Sequence, residues 1–194
     1  MKLTITHQES YSRGELLLRS FFGFIYMIFP HAFIMLFCNI WSAILAFISW
    51  WAILFTGRYP QSFFEYQVKI IRWSVRLTAR MRNLVDGYPA FMPAGSDDRT
   101  NVEVAYPENL SRGVLLLRAF FGGIYVILPH AFILFFRSIW GAILSFIAWW
   151  AVLFTGRYPE SMHRFQVETI RWGARVNLYM SNMTDTYPAF NGRE

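Results

Sequence analysis

Polar and apolar positions follow the same order twice along the chain. A short alternating segment, Leu3 and Ile5 in the first half and Val102 and Val104 in the second, has the period of two that marks a strand. Ser-Arg-Gly follows at Ser12 and again at Ser111, with the serine placed to cap a helix. Next comes an apolar block. Between Ser20 and Gly57 there is no Asp, Glu, Lys or Arg, and between Ala119 and Gly156 there is only Arg137. Each block is about twice as long as the ~20 apolar residues that cross a bilayer core, which predicts two closely spaced helices per block. Beyond Thr56-Gly57-Arg58-Tyr59-Pro60 the pattern turns amphipathic: Phe64, Val68, Ile71 and Val75 recur at three and four residues, and Arg72, Arg76 and Arg80 recur at four on another face. Such a pattern predicts a basic helix lying in the membrane interface.

The second half restates the first at a constant offset of 99, and about 50 of the 82 aligned pairs from Ser10 to Phe91 are identical without a gap. Pro30-His31-Ala32-Phe33-Ile34 returns as Pro129-His130-Ala131-Phe132-Ile133, and Phe55 to Pro60 returns as Phe154 to Pro159. Self-similarity of this kind is a tandem duplication and sets the organisation. Residues 1–92 form repeat one, 93–108 a linker rich in Pro, Gly and Asp, and 109–194 repeat two. The fold class expected is an all-α membrane protein of two tandem helical hairpins. About four transmembrane or re-entrant helices are expected, each hairpin followed by an amphipathic interfacial helix, with strand-like segments near the repeat starts.

Basic residues decide how the blocks are read. Of 18 Lys and Arg residues, 17 lie outside the blocks. One span per copy would put equivalent basic flanks on opposite sides, against the positive-inside bias, whereas two spans per copy keep all of them cytoplasmic. The expectation is therefore a multi-pass protein of the bacterial inner membrane, with both termini inside and a pseudo-twofold axis along the membrane normal. Pro30 and Pro129, or the polar pairs Cys38-Asn39 and Arg137-Ser138, could each mark the turn. Either position leaves a hairpin that barely spans, which implies a thinned bilayer, oligomerisation or a re-entrant wedge. No cleavable signal peptide is read at the start, because the apolar run begins only near Leu16 and its equivalent in repeat two is internal.

Composition narrows the function classes. With 55% hydrophobic, 20% aromatic and 15% charged residues, the chain is too apolar for an ordinary soluble domain. Its single cysteine, Cys38, excludes an intramolecular disulfide framework. A net charge of +6 on so apolar a chain points to anionic phospholipid as partner rather than nucleic acid. Candidate headgroup ligands are Arg58, Arg72, Arg76 and Arg80 in repeat one and Arg157, Arg171 and Arg175 in repeat two, with Arg58 and Arg72 able to converge on one phosphate. Trp50, Trp51, Trp149 and Trp150 read as an interfacial aromatic belt or packing surface. His31, His130 and Arg137 are the polar groups inside the blocks. The two histidines could approach each other across the pseudo-axis, or each could bond a carbonyl freed at the helix break. Asp86 and Asp185 precede Tyr-Pro and read as turn closers or partners of an arginine on the interfacial helix. No phosphate loop, carboxylate pair or cluster of metal-ligand spacing is present in the sequence, so no cofactor, metal or catalytic residue is expected.

Taken together, these motifs resemble a bacterial membrane-protein family known as domain of unknown function forty-three eighty-nine. The resemblance rests on Arg13 and Arg112, the two Pro-His pairs, Trp51 and Trp150, Phe55 to Pro60 and Phe154 to Pro159, Arg72-Trp73 and Arg171-Trp172, and Asp86 to Phe91 and Asp185 to Phe190. Ala90 and Ala189 stand where the family pattern has a second proline. The resemblance implies a membrane location and no activity. The role expected is a non-enzymatic accessory or scaffold subunit, of a larger complex or of a homo-oligomer. Two alternatives are membrane shaping by hairpin wedges and a lipid or ion conduit along the axis.

Overall fold

A computed structural model describes residues 1–193. Strand β1 (Lys2–Ile5) leads to α1 (Arg13–Gly23), a π-helical turn (Phe24–Ile28), α2 (Phe29–Thr56) and α3 (Gln61–Met81). The order then recurs as β2 (Thr100–Glu103), α4 (Arg112–Gly122), a π-helical turn (Gly123–Ile127), α5 (Leu128–Thr155) and α6 (Glu160–Met180). The molecule is mostly helical, and two of its helices are long and apolar enough to cross a membrane.

Those two helices correct the expected hairpins. Each apolar block is one unbroken 44-residue helix, Arg13–Thr56 and Arg112–Thr155, with no turn at the proline or at the polar pair. A proline inside a helix removes a donor and clashes with the preceding turn, which normally breaks or kinks it. Here the turn before Pro30 widens instead: the Phe29 N–H reaches back five residues to the Phe24 carbonyl. The carbonyl that Pro30 leaves without its usual donor belongs to Tyr26, and the Tyr88 hydroxyl donates to it at 3.3 Å. In the second half Tyr187 donates to the Tyr125 carbonyl at 2.9 Å. A distant tyrosine thus supplies the missing donor, and the helix continues.

Local chemistry fixes the helix ends. Ser12 and Ser111 cap α1 and α4 by accepting from the Glu15 and Val114 N–H groups. Gly57 and Gly156 close α2 and α5 at φ 73 and 72, a left-handed conformation that glycine adopts without a Cβ penalty. Pro60 and Pro159 then start the next helix, which folds back. Helix α3 runs antiparallel along α2: Gln67 donates to the Ser42 carbonyl at 2.8 Å, Tyr66 to that of Cys38 at 3.2 Å, and Trp73 to the His31 Nδ1 at 2.7 Å.

The halves interlock reciprocally. β1 and β2 pair antiparallel with Leu3 opposite Val102, residues 99 positions apart. The Tyr11 N–H bonds the Gly156 carbonyl while that of Leu110 bonds the Gly57 carbonyl, both at 2.8 Å. Arg13 donates to the Phe154 carbonyl and Arg112 to that of Phe55. Both apolar cores draw on both halves: Leu16 and Ala79 pack with Val152 and Val167, and Ile53 and Val68 pack with Leu115 and Leu178. Burying each such aliphatic side chain contributes about 1.5–3 kcal/mol, so neither half keeps its core without the other.

Three layers result. The long helices form one face, α3 and α6 lie on them, and the β-ribbon lies beyond, held where Arg72 donates to the Val102 carbonyl and Arg171 to that of Leu3.

Candidate functional site

The residues the sequence singles out converge on the helix bend of each half. Trp73 and Trp172 donate to the Nδ1 atoms of His31 and His130 at 2.7 and 2.8 Å, and both histidines are fully buried. Tyr88 and Phe91 close over the His31 ring with centroids at 5.3 and 4.5 Å, and Tyr187 and Phe190 close over His130 at 5.5 and 4.1 Å. Each histidine is ringed by aromatics of its own half, so the two do not meet across an axis. Nor does either bond the freed carbonyl, which goes to tyrosine. The His31 and His130 Nε2 atoms have no hydrogen-bond partner.

An ion pair locks the same corner. Arg19 is 5% exposed and donates to the Asp86 carboxylate and the Val85 carbonyl, both at 2.8 Å. The other Asp86 oxygen accepts from the Ser12 N–H at 2.7 Å. Arg118 bonds Asp185 and the Tyr179 and Thr184 carbonyls, and Asp185 accepts from the Ser111 N–H. Both aspartates therefore pair with an arginine of α1 or α4, not with one on α3 or α6. Sequence reading missed Arg19 and Arg118. The signal was their exact recurrence at the edge of an apolar block, at the offset that also relates Asp86 to Asp185.

The basic residues divide into two groups. Arg76, Arg80 and Arg171 are buried. Arg76 donates to the Gly95 and Met92 carbonyls, Arg80 holds Asp97 with both terminal nitrogens, and Arg171 donates to the Leu3 and Gly192 carbonyls. Half-buried Arg175 bonds the Arg193 carbonyl. These arginines hold the linker and the tail, which corrects the reading of a basic face lying open at an interface. Arg58, Arg157 and Arg72 are exposed. Arg58 sits at the start of α3 and Arg72 about 20 Å further along it at 1.5 Å per residue, too far to share one phosphate.

Arg137 lies in the middle of α5, half-buried, where α6 satisfies it. Its Nε donates to Thr169 at 2.8 Å, a terminal nitrogen pairs with Glu168 at 3.1 Å, and the guanidinium sits 4.1 Å over the Phe165 ring. Trp51 and Trp150 are 44% and 42% exposed and stack on Phe55 and Phe154, while Trp50 and Trp149 are half-buried.

Exposure separates the layers sharply. Of the 40 exposed large hydrophobic residues, 35 lie on the two long helices and none on α3 or α6, so the apolar surface is concentrated on one layer. The exposed residues of α3 are Gln61, Ser62, Glu65, Lys69, Arg72 and Ser74, all polar, and those of α6 are Glu160, Ser161, Arg164 and Asn177.

Residues 117–191 match a family model described as a domain of unknown function, DUF4389. That stretch of the chain is similar to this family. It runs from within α4 through the bend, the His130 cage and the Asp185 to Phe190 segment. No curated protein and no solved structure matches the chain.

Proposed function

We propose that this is a non-enzymatic membrane-bound protein that lays its two long helices in the plane of one leaflet and acts by expanding that leaflet. The observation that carries the reading is the concentration of exposed apolar side chains on the long helices beneath helices whose outer residues are polar. Length, charge and symmetry each favour lying over crossing. A 44-residue helix is about 66 Å long at 1.5 Å per residue, more than twice the ~30 Å hydrocarbon core. Because α3 runs beside the middle of α2, a crossing α2 would carry the exposed Glu65 and Lys69 into lipid, where charge is costly. And with one unbroken helix per half, crossing would place equivalent basic flanks on opposite sides, whereas lying keeps them all on one. Arg58 and Arg157, exposed at the corners, are then free to meet anionic headgroups. Reconstitution at high density into phosphatidylglycerol-containing liposomes should draw them into tubes or small vesicles, and vesicles that keep their size and shape would refute leaflet expansion.

A second reading, an accessory or scaffold subunit, is favoured by the stacked and exposed Trp51–Phe55 and Trp150–Phe154 pairs, since rigid aromatics of this kind anchor interfaces. A stoichiometric second protein in particles purified at native expression level would support it. A homogeneous particle of this chain alone would count against a partner complex.

A further inference from the structure

The linker folds back over α3 and leaves a half-open cavity of about 370 Å³ between residues 93–97, β2 and the part of α3 that carries Lys69, Arg72 and Arg76. Its one lining carboxylate, Asp97, is already engaged. Arg80 grips it with both terminal nitrogens, and it also accepts from the Thr100 hydroxyl at 2.7 Å and the Arg99 N–H at 3.0 Å. Burial pushes the Asp97 carboxyl up, but the hydrogen bonds from Arg80, Thr100 and Arg99 outweigh it and hold the group below its ordinary range. Asp97 thus gives its oxygens to Arg80, Thr100 and Arg99 and attracts Arg76 only through space, so Lys69, Arg72 and Arg76 have no carboxylate hydrogen-bonded to them.

Each of the three retains donors. Arg76 is 3% exposed and uses its terminal nitrogens on the Gly95 and Met92 carbonyls, which are neutral, while its buried Nε–H has no acceptor. Arg72 uses Nε on the Val102 carbonyl at 2.8 Å, and its terminal nitrogens have no partner among the described residues. Lys69 is exposed at the rim, also without a partner among the described residues. Buried or crowded like charges are costly unless an anion joins them. Guanidinium groups match the oxygens of a phosphate as rigid forks, and an ammonium adds a point charge.

We propose that this cavity is a binding site for a phosphate monoester, held by Lys69, Arg72 and Arg76 between α3 and the linker. The second half lacks the equivalent: Glu168 replaces Lys69 and is paired with Arg137, so a carboxylate stands where the rim cation would be. The cavity lies on the polar layer, away from the apolar face.

The test uses the full chain in discs of phosphatidylcholine, titrated calorimetrically with inorganic phosphate and with glycerol phosphate. Saturable binding is expected, weakened about ten-fold or more by Lys69→Glu, which installs the residue of the second half, and by Arg72→Gln. Arg164→Gln, an exposed arginine on α6, should bind as the parent does, and unchanged thermal melting of all three variants establishes that they fold. Discs doped with phosphatidic acid distinguish the source. Loss of glycerol phosphate binding in those discs assigns the phosphate to a lipid headgroup, and undiminished binding assigns it to a soluble monoester. Absence of binding in every disc, or equal binding by Lys69→Glu and the parent, would overturn the proposal.

Discussion

The two halves build the same elements from different polar residues, and the difference shows what the fold requires. At one position of the long helix the first half has Cys38 and the second Arg137. Opposite them stand Lys69 and Ile70 in α3, and Glu168 and Thr169 in α6. An arginine in an apolar helix is tolerated in the second half because the neighbouring helix supplies a carboxylate, a hydroxyl and an aromatic face. The first half has no intrahelical cation to satisfy, and its lysine is left to line the cavity under the linker. By contrast, the Pro-His bend, the tryptophan bonded to the histidine, the tyrosine on the freed carbonyl and the Arg–Asp lock are the same in both halves. These fix the geometry, while the mid-helix contacts vary around it.

The largest effect should come from breaking the Arg–Asp lock, and the halves should respond unequally. Removing one partner of a buried pair costs about 3–5 kcal/mol, so Arg19→Met should lower stability by that order. The Asp185 side chain is 28% exposed against 11% for Asp86, so Arg118→Met should cost less. Chemical denaturation of the two variants in one detergent checks the ranking, and equal losses would contradict it.

Next in size is pH. Burial, with His7 beside it, pushes His163 down to about 4, whereas an unfolded histidine titrates near 6.5. The neutral ring is favoured in the fold, so the stability it contributes is present above about 6.5 and is lost as pH falls from there to about 4. The loss is on the order of 3 kcal/mol. The first half has Phe64 at this position. His163→Phe should flatten this window of the pH–stability profile, and an unchanged profile would remove His163 as its source.

Smaller still, Trp73→Phe and Trp172→Phe each leave a buried imidazole nitrogen without its donor, at about 1–3 kcal/mol. Because both histidines are equally buried, thermal melting should show similar losses, and a marked difference would mean that the two cages are not equivalent. The smallest effect is expected for Glu168→Gln. Its pair with Arg137 is partly exposed, and such pairs contribute up to about 1 kcal/mol. In the first half Cys38→Arg should destabilise more than Cys38→Arg with Lys69→Glu, because only the double variant recreates the pair. Equal melting of single and double variants would contradict that coupling.

Short-range chemistry was legible in the sequence and long-range partners were not. The serine caps, the glycine–proline corners, the alternation around Leu3 and Val102 and the amphipathic period of α3 all follow from residues within a turn or two of one another. The unbroken long helix does not. Pro30 reads as a break unless Tyr88, 62 positions away from Tyr26, is known to cap the freed carbonyl. Arg76 and Arg80 read as an open basic face until the linker is seen folded over them. Arg19 and Asp86 are 67 positions apart, and only their shared recurrence hints that they meet.

Spin-label depth measures directly how the long helices meet the bilayer. Labels at Ile25, Ile40 and Phe55, introduced one at a time into a Cys38→Ser background, occupy exposed positions along one helix. Power saturation with oxygen and a nickel chelate in lipid discs should place all three at similar shallow depth if the helix lies in one leaflet. A gradient with Ile40 deepest and the two ends near opposite surfaces would show a crossing helix and contradict the account.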